Sequence, residues 1–189
     1  TGALRDYLAA RGDAVDGLGI RAIVPVNLRP NGKARELGNQ FGLVFLDLPI
    51  GLDHPFERLY EVRRLMQALK GSYQPLIVLG LLHTVGYGPK ILQEQITTLL
   101  SQNASVVMTN VPGPAHPIYL AGRRIDELNF WVPQSGGIGM GVSILSYNGR
   151  IQFGLITDAG LVPDPDRIVA RFEEEFDKLM WLTLMAPWE

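Results

Sequence analysis

The sequence predicts an α/β fold of the two-layer α+β kind, in which a mixed sheet is flanked by helices and the last element is a helix. Three observations predict it. Apolar β-prone runs occur in both halves of the chain, stretches with helical spacing of apolar residues lie between them, and an Asn-Gly pair at 148–149 suits a tight hairpin turn. The 189 residues, 47% of them apolar, are enough for one sizeable core or two small lobes that share one.

The first quarter of the chain predicts a helix followed by two strands. Leu4, Tyr7 and Leu8 share one helical face, and nothing before them caps the helix, so the chain is expected to begin inside an element. Ile20–Val26 and Phe41–Leu48 are β-prone apolar runs, each suited to a buried strand. The stretch between them is polar and is predicted to be a loop.

Three helices are predicted in the middle of the chain. Asp53 and Pro55 mark a helix start, and Gly71 marks its end. The apolar residues at helical spacing between them are Leu59, Val62, Leu65, Met66 and Leu69. The region Pro75–Ser101 is interrupted by two glycines and a proline at positions 86, 88 and 89, which predicts two helices. The first of these is apolar nearly all round.

The second half predicts short strands and a closing helix. The β-prone runs are Ser105–Thr109, Ile118–Leu120, Leu128–Val132, Met140–Ser146 and Ile151–Ile156. Asn148 and Gly149 between the last two runs suit the positive φ angles of a two-residue hairpin turn. Asp164 and Pro165 open a helix, whose predicted inward residues are Ile168, Phe172, Phe176, Leu179 and Met180.

The composition excludes several classes of protein. A net charge of −2 gives no long-range attraction for phosphate backbones, so no nucleic-acid partner is expected. The absence of Cys excludes disulfides and Cys-ligated zinc and favours a reducing compartment. The longest apolar run, Leu76–Leu82, is far shorter than the roughly 20 residues of a spanning helix. We therefore expect a cytoplasmic protein that meets a membrane only from the side.

The chain offers few residues for acid–base chemistry. None of His54, His83 and His116 is followed at short range by an Asp that would orient it as a general base. His54 lies at a helix start, where a polar turn residue is the favoured interpretation. His83 lies in an apolar helix, which favours a core residue. No motif indicates a metal site.

Two segments rich in glycine or proline are candidates for binding. Gly136–Gly141 leads into a β-prone run and not into a helix, so it is not a dinucleotide fingerprint. A flexible strand entry is favoured there, and a loop that approaches a ligand stays open. Thr109–Pro114 predicts a strand with a sharp exit, and Asn110 is expected at the strand end. A hydrogen bond to the turn and a ligand-facing role are equally open for Asn110.

Five sequence blocks occur together in order and span nearly the whole chain. They are Val24–Pro30 (VPVNLRP), Gly38–Gly42 (GNQFG), Met108–Pro114 (MTNVPGP), Phe130–Ser135 (FWVPQS) and Val142–Gly149 (VSILSYNG). Together they resemble the carboxyl-terminal domain of the wax ester synthase/diacylglycerol acyltransferase family. Five ordered blocks are far more specific than a single glycine pattern.

The resemblance implies that residues 1–189 form the carboxyl-terminal lobe of a two-lobe enzyme. Each lobe would resemble chloramphenicol acetyltransferase, with a tunnel between them. The implied reaction transfers a fatty acyl group from acyl-CoA, a substrate and not a cofactor, to diacylglycerol or a long-chain alcohol. The family's His-His-x-x-x-Asp-Gly motif belongs to the amino-terminal lobe and does not occur here, so the catalytic His is expected in that lobe. The implied partners are that lobe, the substrates and a peripheral lipid surface.

The resemblance also implies site residues, none of them catalytic in this chain. Asn39 and Asn110 would be polar groups near the tunnel. Gln134, Ser135 and Gly137 would line the tunnel or lie on the side of the oxyanion.

Two further assignments and two alternative functions stay open. Arg29 is implied as a partner of a CoA phosphate, although a structural ion pair is favoured. Leu76–Leu82 would line an acyl channel or touch lipid, although a buried packing helix is favoured. Because the His motif is absent, a non-catalytic lipid-binding or interaction module of the same fold is the main alternative. A related acyltransferase with a peptide or sugar acceptor is the other, and the Thr109–Pro114 block argues against it.

Overall fold

The computed structural model describes residues 1–29, 41–70, 72–134 and 137–185. Within these ranges the helices are α1 (Gly2–Ala10), α2 (Pro55–Lys70), α3 (Gln74–Gly86), α4 (Lys90–Gln102) and α5 (Asp166–Met185). The strands are β1 (Gly19–Asn27), β2 (Phe41–Pro49), β3 (Val106–Pro112), β4 (Tyr119–Leu120), β5 (Arg123–Arg124), β6 (Met140–Tyr147) and β7 (Arg150–Thr157). The polar loop predicted between β1 and β2 lies outside the described residues.

The strands form the mixed sheet that the sequence predicts. Its order is β2-β1-β3-β6-β7, and β4 pairs only with β5 in a separate two-stranded sheet. The outer pairs, β1 with β2 and β6 with β7, are antiparallel, whereas β3 is parallel to both of its neighbours. The antiparallel outer pairs are consecutive in the chain, whereas the parallel pairing of β1 with β3 is reached only after β2 and helices α2 to α4.

The central ladders differ in length. β3 pairs with β6 from Val106–Met140 through Pro112–Ser146, which is seven residue pairs. β1 pairs with β3 through two residue pairs, Ala22 with Val106 and Ile23 with Val107. β1 and β3 are therefore joined to each other only near the amino end of β3; toward their carboxyl ends each strand is paired only with its other neighbour, β1 with β2 and β3 with β6.

One face of the sheet carries the main core, against helices α1, α2 and α5. Its buried residues from the sheet are Ala22, Leu46, Leu48, Val106, Met140 and Val142, and those from the helices are Ala3, Leu4, Tyr7 and Ile168. Tyr7, the largest of the buried helix residues, also donates a hydrogen bond from its hydroxyl to Asp164 Oδ1 at 2.5 Å. The predicted inward face of α1 is confirmed.

The opposite face is covered over β6 and β7 by an irregular segment that follows β5. Ser143 Oγ donates to the carbonyl of Phe130 at 2.6 Å, and the Gln152 side chain accepts from the backbone N–H of Leu128 at 3.0 Å. Tyr147, 1% exposed, donates from its hydroxyl to the carbonyl of Ile125 at 2.7 Å. The strand predicted at Leu128–Val132 is therefore wrong, because the backbone of this segment bonds to side chains of the sheet.

Helix α5 packs most closely on the core through its first half, and Leu179 in its second half is partly buried. Ile168 is 2% exposed, and the ring of Phe172 stacks on Phe153 with 4.0 Å between centroids. Phe176 and Met180 are 49% and 43% exposed, so their predicted inward positions are wrong. The predicted inward position of Leu179 is confirmed, since it is partly buried and lines a pocket together with Ala3 of α1 and Val62 of α2.

A buried ion pair joins the helices beneath the sheet. Arg58 Nη2 of α2 lies 2.8 Å from Glu175 Oε2 of α5, and the two side chains are 5% and 10% exposed. Arg58 Nη1 also donates to the carbonyls of Leu52 and Asp53 at 2.8 and 2.7 Å. A Cβ on Gly2 of α1 would lie 1.7 Å from Glu175 Oε2, so α1 approaches the pair through a residue without a side chain.

The hairpin turn yields a first test of the fold. Asn148 and Gly149 have φ angles of 49° and 75°, as predicted for a two-residue turn. Gly149→Val should lower the free energy of unfolding by about 2 kcal/mol, since a β-branched residue resists positive φ. Chemical denaturation measures this loss. Gly149→Asn, which tolerates that conformation, should lose much less, and equal stability of the Val variant and the parent would contradict the assignment.

The buried ion pair yields a second test. Glu175→Ala leaves the Arg58 guanidinium buried without its counter-ion, which should cost about 3 to 5 kcal/mol in the free energy of unfolding. The neighbouring Glu174 is exposed, so Glu174→Ala is the matched control and should change stability by less than about 0.5 kcal/mol.

A double variant separates the charge from the packing. Arg58→Met with Glu175→Leu removes both charges and keeps comparable volume, so it should recover most of the stability lost in Glu175→Ala. If Glu175→Ala were as stable as Glu174→Ala, the pair would not be buried in solution.

Candidate functional site

The carboxyl ends of the parallel strands β1, β3 and β6 point to one edge of the sheet, where open α/β sheets bind ligands. Arg29 follows β1 by two residues, and its side chain is half-buried; its backbone N–H donates to Asn27 Oδ1 at 3.0 Å. Asn110 is in the carboxyl-terminal half of β3. The two residues therefore lie toward the same edge of the sheet. At this edge β1 and β3 are not paired with each other, because the ladder between them ends at Ile23 and Val107.

Asn110 is exposed and lies two residues before the strand end, opposite Ile144 of β6. The expected position at the strand end is therefore displaced, since β3 continues to Pro112. Among the described residues no group makes a hydrogen bond to the Asn110 side chain. The side-chain amide of Asn110 is therefore free of hydrogen bonds to the described residues and is available to a ligand.

The turn after β3 is held without Asn110. The backbone N–H of Gly113 donates to the carbonyl of Ser146 at 2.9 Å, and that of Asn148 donates to the carbonyl of Pro114 at 2.9 Å. A Cβ on Gly113 would lie 2.4 Å from the Ser146 oxygen, so this close approach requires glycine. Backbone hydrogen bonds thus hold this turn. The interpretation in which the Asn110 side chain bonds to the turn is not supported.

Gln134 lies on the other face and toward the other end of β6. Its Nε2 donates to the carbonyl of Ile156 at 2.9 Å, and a Cβ on Gly141 would lie 3.0 Å from that nitrogen. Gly141 precedes Ile144, the partner of Asn110, by three residues, which corresponds to about 10 Å along a strand and the opposite side of the sheet. The structure therefore does not bring Gln134 and Asn110 together.

Of the remaining residues implied by the resemblance, Gly137 lies in the described part of the chain. Gly137 is exposed in a turn. Like Gln134, it precedes β6 in the sequence. Asn39 and Ser135 lie outside the described residues. Within the described ranges, the candidates thus fall into two groups, Arg29 with Asn110 at one edge of the sheet and Gln134 with Gly137 near the start of β6.

The glycines that lead into β6 serve close packing. A Cβ on Gly139 would lie 2.5 Å from Leu161 Cδ1, and one on Gly141 would lie 2.8 Å from Ile156 Cγ2. The run ends in strand β6, as the sequence indicates, so no helix amino end is available there for a phosphate.

An apolar cavity of about 90 Å³ lies under the sheet face that carries Asn110. Met108, Ile144, Phe153 and Phe172 are among the residues that line it. Asn110 is not among the residues that line the cavity; because side chains alternate along a strand, its side chain follows Met108 on the same face of the sheet, toward the carboxyl end of β3.

Ionisable groups with shifted pKa values are found away from this edge. The hydroxyl of Tyr7 holds the pKa of Asp164 below its usual value, and Arg64 does the same for the pKa of Glu61. His54, His83 and His116 are all exposed, so the prediction of a core position for His83 is wrong; its ring packs against Tyr87 at 5.2 Å. Within the described ranges no cluster of three or more His, Asp or Glu residues could hold a metal ion.

Sequence reasoning missed two features, and each had a signal. Arg58 shares the inward helical spacing of Val62 and Leu65, and Glu175 shares that of Phe172 and Leu179, so two opposite charges on inward faces could have predicted the buried pair. The favoured interpretation of Leu76–Leu82 as a buried packing helix is wrong for one of its sides: Leu76, Ile77 and Leu81 are exposed, whereas Val78 is buried. No helix in the described part of the chain has the length and apolar character to cross a membrane.

Comparisons with known proteins agree with the resemblance. The model of the WS/DGAT C-terminal domain family matches residues 37–180. The chain is 27% identical over 184 residues to the probable diacylglycerol O-acyltransferase tgs1 of Mycobacterium tuberculosis, covering 95% of this chain and 40% of that protein. It is 27% identical over 178 residues to the O-acyltransferase WSD of Acinetobacter baylyi, covering 93% of this chain and 38% of that protein.

A solved structure supports the fold. The wax ester synthase/diacylglycerol acyltransferase from Marinobacter aquaeolei VT8 superimposes with a TM-score of 0.63 at 22% sequence identity, over 94% of this chain and 40% of that one. The chain spans about two fifths of the length of the relatives it matches. Since the family model covers most of the chain, this protein belongs to the WS/DGAT C-terminal domain family.

Proposed function

We propose that this domain is the carboxyl-terminal lobe of an O-acyltransferase that moves a fatty acyl group from acyl-CoA to diacylglycerol or a long-chain alcohol. The observation that carries the proposal is the family match over residues 37–180, with relatives named diacylglycerol O-acyltransferase. An amino-terminal lobe would supply the catalytic His. Within the described residues, no His lies in the sheet or core, which fits a base that comes from elsewhere.

The proposed reaction is direct transfer without an acyl-enzyme. The His of the other lobe accepts the proton of the alcohol, whose oxygen attacks the thioester carbonyl. The C–S bond then breaks, and the CoA sulfur leaves with a proton, so that an ester and free CoA result. The reaction needs no cofactor, because acyl-CoA is itself the activated substrate. Hydrogen-bond donors near the carbonyl would stabilise the oxyanion.

Asn110 is the residue of this lobe with the best position for that role. It is exposed, its amide has no partner among the described residues, and it adjoins the apolar face of the sheet. Gln134 and Gly137 are proposed to line a separate part of the tunnel, since the sheet lies between them and Asn110. Arg29, at the same edge as Asn110, is proposed to contact a CoA phosphate. Asn39 and Ser135 stay candidates by resemblance alone.

The proposal includes the surroundings of the enzyme. Acyl-CoA reaches the tunnel from a cytoplasmic solution, and the diacylglycerol or fatty alcohol comes from a lipid surface with which the enzyme associates peripherally. A non-catalytic lipid-binding module is the second candidate, and the absence of the family's His motif from this sequence is the observation that favours it. The two candidates differ in whether the protein consumes acyl-CoA.

Reconstitution of the whole enzyme tests this proposal. The domain in its natural full-length chain should release free CoA from acyl-CoA when diacylglycerol or a long-chain alcohol is added, which a thiol assay measures. A matched control replaces the His of the amino-terminal motif by Ala and should lose activity. Lipid binding without release of free CoA from acyl-CoA, with either acceptor present, would instead support the non-catalytic module.

Substitution of Asn110 tests its role in the tunnel. Asn110→Ala should lower kcat/KM by about 100-fold, the size typical of a lost oxyanion donor, and change the free energy of unfolding by less than about 0.5 kcal/mol. Asn103→Ala is the control, because Asn103 Nδ2 donates to the carbonyl of Leu99 at 2.7 Å on helix α4. That variant should lose stability and keep its turnover. Equal losses of stability and rate in Asn110→Ala would assign this residue to the fold.

A further inference from the structure

Helix α3 packs on the edge strand β2 through one face only. Val78 and Val85 are 8% and 7% exposed. At the start of the helix, a Cβ on Gly42 of β2 would lie 2.4 Å from the carbonyl oxygen of Pro75, so the two elements are in close contact. The helix therefore lies at the outer edge of the sheet, with its opposite face directed away from the domain.

The exposed side of α3 forms one continuous surface, which we call the α3 stripe. It consists of Tyr73, Leu76, Ile77, Gly80, Leu81, Thr84 and Tyr87. These positions recur at intervals of three and four residues, so they lie along a single face of the helix. Leu76, Ile77 and Leu81 are 55%, 67% and 43% exposed. Apolar residues so exposed and so aligned mark a contact surface.

The segment that contains the α3 stripe has no acidic residue, lysine or arginine and is preceded and followed by a lysine in the sequence. Residues 72–89 contain no Asp, Glu, Lys or Arg, and the first charged residues on either side in the sequence are Lys70 and Lys90. Lys90 is exposed, and its ion pair with Glu94 spans 3.7 Å at the surface, which binds the ammonium only weakly. An uncharged stretch between two lysines matches the polarity of a lipid surface, with an apolar interior and a polar boundary.

The aromatic residues and the length of α3 fit the same environment. Tyr73 and Tyr87, one at each end of the stripe, are 77% and 83% exposed. Tyr is enriched at the level of lipid headgroups because its ring is apolar and its hydroxyl is polar. The helix has 13 residues and is therefore about 20 Å long, too short to span a bilayer and suited to lie in its interface.

We propose that the α3 stripe is the surface by which this domain inserts into a lipid monolayer or bilayer leaflet, with α3 parallel to the lipid surface. The inference deepens the peripheral lipid association proposed above and rests on it. Apolar side chains would enter the acyl region, while both tyrosines stay at the headgroups.

Vesicle flotation of the full-length protein tests the proposal. The protein should bind phosphatidylcholine vesicles, and added phosphatidylglycerol should strengthen binding modestly through the flanking lysines. Ile77→Asp and Leu81→Asp should each weaken binding to both kinds of vesicle by about tenfold, because each removes one buried aliphatic side chain from the lipid contact. Ile77→Leu should bind like the parent.

The matched control is an exposed Leu elsewhere on the domain. Leu120 of β4 is 71% exposed, and Leu120→Asp should bind vesicles like the parent. Unchanged vesicle binding of Ile77→Asp and Leu81→Asp would overturn the α3 stripe and leave peripheral association intact. A parent protein that binds no vesicles would overturn both.

Two further measurements test whether another part of the same protein covers the α3 stripe and whether the stripe lies in the substrate path. Ile77→Asp should keep the melting temperature of the parent and its thiol release with a short-chain soluble alcohol, because the stripe contacts neither the core nor the reacting groups. A large drop in melting temperature would show that Ile77 is buried against another part of the protein. Loss of thiol release with the soluble acceptor would place the residue in the substrate path, and either result would overturn the proposal.

Discussion

The ion pair between Arg58 and Glu175 is the constraint on which the helical layer depends. Two charges are removed from water there, and this is tolerable only because each finds a partner at 2.8 Å and Arg58 also reaches two backbone carbonyls. The partners come from α2, α5 and the loop before α2, and α1 passes close by through Gly2. A shift of α2 relative to α5 would separate the two buried charges, so the pair disfavours other arrangements of these two helices.

Local signals predicted most of the fold. The Asn148-Gly149 turn, the separation of α3 from α4 and the five strands of the main sheet each follow from residues adjacent in sequence. Leu128–Val132 was predicted wrongly because its partners, Ser143 and Gln152, act through side chains that sequence periodicity does not reveal. Its alternating pattern instead reflects packing on a sheet face, since Val132 is buried and Phe130 is partly buried, whereas Trp131 is 63% exposed.

The spacing of apolar residues in a helix predicts which face is apolar, but it does not predict whether another element covers that face. Phe176 and Met180 have the spacing of core residues, yet they are 49% and 43% exposed. Helix α3 is apolar nearly all round, and the sequence does not indicate which of its sides is buried; Val78 and Val85 are buried, whereas Leu76, Ile77 and Leu81 are exposed. The candidate site shows the same limit. Resemblance selected Arg29, Asn110, Gln134 and Gly137 together, whereas the strand register puts Asn110 and Gln134 on opposite faces of β6 and its neighbours. Which residues share a cavity depends on strand order, which no motif encodes.

The two exposed apolar surfaces lie at opposite edges of the sheet, and this arrangement constrains how the proposed partners fit. α3 packs on β2 at one edge, whereas α5 packs on β7 at the other through the stacked rings of Phe153 and Phe172. The β7 edge carries the other apolar surface, where Phe176 and a groove of about 530 Å³ beside Ile151 and Phe153 are open, so the proposed amino-terminal lobe could pack there without covering α3. Asn110, on the central strand β3, lies between these two edges. A lobe seated on α3 instead would cover the α3 stripe and leave the aromatic end of α5 without a partner.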